Sequence, residues 1–389
     1  MNAPTRLETS LPRFASIENV IERLKPIDPV YVLFPERFKV AARRFLDGFS
    51  GDTMYAVKAN SEGVVLDQIY AAGIRHFDTA SLGEIELVRS RFPDAICHFM
   101  TPVRIAGHAR AAFAKYGITD YVIDCDFELD KLLAETGDAK KLRIFVRLAT
   151  ALGGAVLELS SKFGTTPADA ARLLKRVAAC GAAPCLTFHV GSQCLSPFSY
   201  AQAIEMARRT ALLADVRIAA LDIGGGFPGP LENNDVPPFH WYFDTIREAL
   251  TTFEQDDLPI LCEPGRALST EGISLITQVV LRKGDRLYIN DGRYGSFDEL
   301  TQAGFKADYP IRAFTLAGGD KARPLAGGTK PFLVFGPTCD TIDVLPRPLL
   351  LSENIAAGDF IVFDEMGAYS VSSRSRFNGF YPDQWAQVG

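Results

Sequence analysis

The chain has 389 residues, 47% hydrophobic and 23% charged, a make-up typical of water-soluble globular proteins and long enough for about two domains. Its net charge of -6 and pI near 5.5, with no basic stripe, argue against a nucleic-acid partner. No apolar run reaches the roughly 18 residues that a membrane helix needs, so no membrane span is expected.

The first residues, MNAPTRLETSLPRF, lack the charged-then-apolar layout of a secretory signal, and a cytoplasmic location is expected. A short helix is predicted from Ile17 to Lys25, then a strand over Val30–Phe34. From there apolar runs alternate with helical stretches of period near 3.6. The runs are Met54–Lys58, Arg75–Asp78, Ala95–Met100, Tyr121–Asp124, Arg143–Leu148, Cys185–Val190, Ala219–Ile223 and Pro259–Glu263. Helices are predicted at Leu82–Arg91, Ile105–Tyr116, Phe127–Glu135, Pro167–Cys180, Ser199–Leu213 and Trp241–Phe253. This rhythm predicts an α/β fold with a (β/α)8 barrel over 34–270, and an open doubly wound sheet is the competing arrangement. After Arg266 the rhythm changes. Ile273–Leu281, Arg286–Ile289, Phe332–Phe335 and Asp359–Phe363 read as strands without full helices between them, so 271–389, joined by 1–33, is expected to form a C-terminal β-sandwich or β-barrel domain. Seven cysteines without a C-x-x-C pair, and five histidines without ligand spacing, suggest neither disulfide framework nor metal.

Chemistry in such a barrel is built at the C-terminal ends of its strands. Those slots hold Lys58, Asp78, Asp124, Arg147, His189, Asp222 and Glu263. A lysine at a buried strand end is costly unless it is paired or neutralised, and that setting favours Schiff-base chemistry with a carbonyl compound. A lysine snorkelling to the surface is the alternative. Asp222-Ile223-Gly224-Gly225-Gly226 places three glycines after a strand, where backbone N–H groups can approach an anion. Glu263-Pro264-Gly265-Arg266 adds a glycine and a guanidinium suited to phosphate. Tight turns would explain either loop alone. The absence of G-x-x-x-x-G-K-[ST] argues against a P-loop. Glu263 could keep a pyridine nitrogen protonated or be a plain salt-bridge residue, and His189 could stack on a flat ring or be a core histidine.

YAVKAN, FDTAS, FHVGS, DIGGGFPG, EPGR, NDGRYGSF, GPTCDTID and GAYS occur in this order. With these motifs the chain resembles the fold-type III pyridoxal-phosphate decarboxylases of basic amino acids, the ornithine/lysine decarboxylase family, from about Tyr31 to Phe380. The resemblance implies an alanine-racemase-like barrel plus a β domain, working as a homodimer with shared active sites. It implies that Lys58 holds pyridoxal 5'-phosphate, His189 stacks on its ring and Glu263 pairs with its nitrogen. Ser192, Gly225, Gly226, Gly265, Arg266 and Tyr369 would hold the phosphate. Asp78, Glu84 and Arg147 would form the polar surround. Cys339 would reprotonate the α-carbon in the partner's site, while Asp340, Tyr294 and Asp343 would bind the substrate, ornithine (to putrescine) or lysine (to cadaverine), in polyamine biosynthesis.

Two departures from the family pattern stand out. Ala149–Gly154 lacks an acidic pair that animal-type relatives carry. Beyond Tyr294, a gapless count to the family's second distal-amine carboxylate lands on Ala303, with Asp298, Glu299 and Asp308 nearby. Rival readings are an amino-acid racemase, which tends to place arginine where Glu263 stands, a diaminopimelate decarboxylase, an enzyme for arginine or diaminobutyrate, and a non-catalytic regulatory homologue.

Overall fold

The computed structural model describes residues 11–150, 153–157, 161–253, 255, 257–302 and 305–389. The chain divides into two compact units, Phe38–Thr270 with Gly304–Ala307, and Met1–Arg37 with Glu271–Ala303 and Asp308–Gly389.

In the first unit eight parallel strands close into a barrel. Asp52–Ala56 pairs with His76–Thr79, and the series runs through Ile96–Phe99, Asp120–Ile123, Arg143–Arg147, Ala183–Thr187 and Leu221–Asp222 to Ile260–Cys262. That last strand pairs back with the first, Leu261 against Asp52 and Cys262 against Thr53. The return pairing excludes the doubly wound alternative, because an open sheet would leave both end strands as edges. The helices alternate with the strands as the apolar spacing requires. Pro167–Ala179 starts on Thr166, whose hydroxyl accepts from the Asp169 N–H, and ends before Gly181. The helix expected from Ile105 starts only at His108, since Gly107 at its cap has φ +83.

Alternate residues of a strand share a face, so the lumen of the barrel can be read in layers. Met54, Met100, Val122, Phe145, Cys185, Ala220 and Leu261 form one buried apolar cluster. Two positions towards the strand starts lie Asp52, His98, Asp120 and Arg143; two towards the strand ends lie Asp124, Arg147, Thr187, Asp222 and Glu263. The lumen is therefore polar, apolar and polar along its length. In the polar layer at the strand starts, His76 Nδ1 is 3.0 Å from His98 Nε2, His98 Nδ1 is 2.6 Å from Asp120 Oδ2, and Arg143 Nε donates to Asp120 Oδ1 at 2.8 Å.

The second unit is built on a strand from near the start of the chain. Val30–Leu33, buried at all four positions, pairs antiparallel with Ile273–Lys283 on one side and parallel with Gln384–Val388 on the other. Ile273–Lys283 also pairs with Arg286–Ile289 and Phe360–Phe363. Helix Ile17–Leu24, capped by the Ser16 hydroxyl, buries Ile17, Val20 and Ile21 against Val30, Val32, Ile276 and Phe360. Among the described residues, no helix is long and apolar enough to cross a membrane.

Candidate active site

The first barrel strand ends at Ala56, two residues earlier than its apolar run suggests, and Lys58 stands on a 3-10 turn, Val57–Ala59. The turn is fixed from both sides: the Tyr55 hydroxyl donates to the Asn60 carbonyl at 3.0 Å, and the Glu62 N–H donates to Asn60 Oδ1 at 3.1 Å. Lys58 Nζ lies 2.8 Å from Asp78 Oδ2, with the lysine side chain 41% exposed and the aspartate 2%. A reachable ammonium on a buried counter-ion is thus presented at the mouth of the barrel. Near it, Glu84 accepts the Ala80 N–H at 2.7 Å, and burial pushes its carboxyl above the usual range.

Glu263, at the end of the eighth strand, is buried, and burial with the neighbouring Asp222 and Asp78 pushes its carboxyl well above the usual range. Asp222 on the seventh strand is its hydrogen-bond partner. Burial pushes Asp222 up to about 6, offset in part by the Thr187 hydroxyl at 2.6 Å and the Gly224 N–H at 3.0 Å. With three donors directed at it, Asp222 takes the charge and Glu263 keeps the proton. His189 lies two residues past its strand, not on it, because Ala183–Thr187 ends early. Its Nδ1 accepts the Gly191 N–H at 3.0 Å, which leaves the ring proton on Nε2. Burial first, then the charges of Arg147 and Lys58, hold its pKa well below the ordinary value, so it is neutral. The Thr150 hydroxyl donates to its carbonyl at 2.5 Å. The Arg147 guanidinium lies 5.6 Å from the Phe163 ring.

Three loops make a cradle beside these groups. Gly224 and Gly226 have φ of +68 and +99, and a Cβ on Gly226 would meet the Gly191 carbonyl at 2.4 Å. A Cβ on Gly265 would meet Ala59 at 2.8 Å. Only glycine fits such approaches. Arg266, buried, donates from Nη2 to Ser192 Oγ at 3.3 Å. The N–H groups of Gly225, Gly226 and Gly265 find no acceptor among the described residues. Uncommitted backbone donors gathered beside a guanidinium and a hydroxyl make an anion seat.

Pyridoxal phosphate needs a reachable amine, an acid for its ring nitrogen, a flat partner for its ring and a seat for its phosphate. Lys58, Glu263, His189 and the glycine cradle match these needs in kind. The residues fit the group.

The other nominated residues belong to the second unit. Cys339 is exposed, and its N–H donates to Asn378 Oδ1 at 3.1 Å. Asp340 accepts from the Tyr294 hydroxyl and from the Ile342 N–H, and the first of these bonds holds its carboxyl below the usual range. The Tyr294 ring packs on Phe377 with centroids 4.4 Å apart. Asp343 is buried beneath these loops: Oδ1 accepts the Arg293 N–H at 2.8 Å, and Oδ2 accepts the Thr338 N–H at 3.0 Å and its hydroxyl at 2.6 Å. That carboxylate is occupied in tying the two loops together. Tyr369 holds a left-handed backbone at φ +55, an uncommon conformation for a non-glycine residue. Of the acidic residues after Tyr294, Asp308 is paired with Arg347 at 2.8 Å and Glu299 is buried against Tyr309. Asp298 is half-buried, and its carboxylate meets no partner among the described residues. Ala303, like Ala151 and Leu152 of the Ala149–Gly154 loop, lies outside the described residues.

Two features went unassigned in the sequence. Asp222 was visible at a strand end, but a proton-sharing role depends on the depth at which Glu263 meets it. Strand Ala155–Leu157 pairs antiparallel with Ser192–Cys194, which carries the cradle's hydroxyl, yet three residues carry no readable period.

Residues 35–270 match the family described as pyridoxal-dependent decarboxylase, pyridoxal binding domain. The lysine/ornithine decarboxylase of Selenomonas ruminantium is 33% identical over 339 residues, 84% of this chain and 81% of that protein. Antizyme inhibitor 2 of Xenopus laevis is 33% identical over 355 residues, 84% of this chain and 73% of that protein. The lysine/ornithine decarboxylase of Vibrio vulnificus, solved with putrescine, superposes with a TM-score of 0.81 at 27% identity over 97% of this chain and 99% of that one.

Proposed function

Because the chain belongs to the pyridoxal-dependent decarboxylases, we propose that it removes the α-carboxyl group of a basic L-amino acid, ornithine before lysine, giving putrescine or cadaverine. The observation that carries the reading is the buried Glu263 carboxyl, pushed upward by burial and by Asp222 and Asp78, in one barrel mouth with Lys58 and the uncommitted N–H donors of the cradle. Bound pyridoxal phosphate supplies a carbonyl that captures amines and a ring that accepts the electron pair left as carbon dioxide departs. Lys58 would hold the group through its amine, with Asp78 and Arg147 as polar support. Glu263 keeps a proton available to the ring nitrogen, where an arginine would favour a racemase. His189, being neutral, offers a flat face without a competing charge. Ser192, Gly225, Gly226, Gly265, Arg266 and Tyr369 bind the phosphate. Cys339 returns a proton to the α-carbon, and Asp340, oriented by Tyr294, takes the distal ammonium. Asp298, uncommitted, is the second carboxylate for that ammonium, and Asp343 serves by holding the loop.

An anionic tail such as that of diaminopimelate would meet like charge at Asp340. A relative named for inhibition rather than catalysis, at the same identity as the enzyme, keeps the non-catalytic reading in view. Carbon dioxide release from ornithine, lysine, arginine, diaminobutyrate and diaminopimelate separates these readings. The highest kcat/KM is expected with ornithine and the next with lysine. Release from diaminopimelate alone, or from none, refutes the assignment.

The working enzyme is a cytoplasmic homodimer feeding polyamine biosynthesis, with Cys339 and Asp340 serving the partner's barrel. Mixing inactive Lys58→Ala with inactive Cys339→Ala should then return about a quarter of wild-type activity. Half of randomly assorted dimers are mixed, and each mixed dimer carries one intact site of two. No recovery under conditions shown to exchange subunits would sink the shared site.

A further inference from the structure

Between Ser192 and Cys194 sits Gln193, a residue with no role so far. It is fully buried, with φ +55, a left-handed backbone at a residue that gains nothing from it locally. Its amide is completely satisfied. Oε1 accepts the Gly229 N–H at 2.9 Å, and Nε2 donates to the Gly229 carbonyl at 2.7 Å and to Asn234 Oδ1 at 3.0 Å. The orientation of the amide follows from its partners, since one end faces a donor and the other faces two acceptors.

The residues on either side carry the cradle. Ser192 Oγ accepts from Arg266, and the Cys194 N–H donates to the Gly226 carbonyl at 2.8 Å. The glycine loop is therefore pinned twice from one tripeptide, at Gly226 through the backbone and at Gly229 through the Gln193 side chain. Gly229 packs closely on Thr270, and a Cβ there would meet Thr270 Oγ1 at 2.6 Å. We propose that Gln193 is a positioning residue for the phosphate seat. It sets the spacing between the Ser192 hydroxyl and the uncommitted N–H groups of Gly225 and Gly226, and acts through them without touching the ligand. The strained backbone follows from this placement, since a left-handed residue turns its side chain away from the cradle and under the glycine loop. This inference rests on the reading that Ser192, Gly226 and Arg266 bind the phosphate.

The test compares pyridoxal 5'-phosphate with pyridoxal, which lacks the phosphate, on full-length protein stripped of cofactor. Gln193→Ala removes the amide, and Gln193→Gly removes it while relieving the strained φ, so the second variant folds even where the first suffers. Both should weaken pyridoxal phosphate binding by about tenfold or more, the scale for losing a pair of buried hydrogen bonds. Pyridoxal binding should change less than about twofold. Equal weakening of both ligands would mean that Gln193 supports the fold in general, and would overturn the proposal. Unchanged phosphate-dependent binding while Arg266→Ala loses it would also overturn the proposal and leave the cradle assignment standing. If Arg266→Ala and Ser192→Ala likewise lose nothing, the cradle assignment falls, and this inference with it.

Discussion

The two ends of the barrel lumen hold the same kinds of residue and treat them in opposite ways. At the strand starts Asp120 is buried, which alone would raise its pKa, but hydrogen bonds from His98 and Arg143 overcome burial and bring it down to about 2. At the strand ends Asp222 and Glu263 are as deeply buried, yet Lys58, the cation that acts on Glu263, is bonded to Asp78, and burial wins. Depth is common to both ends, and the committed partner decides the sign. A carboxylate fully engaged by hydrogen-bond donors holds an architecture together, whereas a carboxyl left proton-bearing in the interior stores a proton for chemistry.

That contrast can be broken by substitution, starting where the effect is greatest. Lys58→Ala should remove roughly 10⁶ of the turnover, the scale for loss of a covalent nucleophile and far more than the loss of Asp78's partner could cost through stability alone. Borohydride trapping should label Lys58 in wild type, and label on any other lysine would break the assignment. Asp120→Asn should do the reverse. Buried His98 and half-buried Arg143 lose their common acceptor, costing about 1–3 kcal/mol of folding stability, while kcat of the surviving enzyme stays near wild type. A fall in kcat without a fall in stability would show that the two ends are not separate.

Glu263→Gln comes next. It keeps the shape and a donor for Asp222 but cannot transfer a proton to the ring nitrogen. Single-turnover decarboxylation should slow by about 10²–10³, or 2.7–4 kcal/mol. A near-wild-type rate would make Glu263 structural.

The smallest effect is on pH dependence, and its sign differs between the ends. Asp120, held low, contributes stability that is full above 3.8 and is lost as pH falls towards about 2. Asp222, held high, contributes stability that is full below 3.8 and is lost as pH rises through about 6, a displacement equivalent to about 3 kcal/mol at most. Asp222→Asn in cofactor-free protein should make the decline between about pH 4 and 6 shallower, with the other buried carboxyls, Glu263 first, keeping their share, and leave the acid limb intact. An unchanged profile would mean that Asp222 is not the proton's partner.

Much of this was legible in the sequence because period and position coincide. Alternating apolar runs and 3.6-period helices announced the barrel, and polar residues at the run ends announced its mouth. What stayed hidden depends on distances along the lumen. Asp120, His98 and Arg143 begin or interrupt ordinary strands, and nothing local says that their side chains meet. Lys58 and His189 lie past strand ends that the apolar runs overshoot, because Val57 and Phe188 are buried without being in the sheet. Gln193 gives no sign at all, since a left-handed glutamine has no compositional mark.

The place of Val30–Leu33 in its sheet has a bearing on how the protein is made. One of its two neighbours, Gln384–Val388, is the last strand of the chain, some 350 residues later. At about 5–20 residues per second, this apolar strand leaves the ribosome roughly 20 to 70 s before that neighbour exists. The barrel segment, contiguous apart from one short return, can condense in the interval, while the early strand waits with a sticky, unpaired edge. Biogenesis therefore has a built-in vulnerable period, and slow translation or a truncated C-terminus would injure the second unit long before it harmed the first.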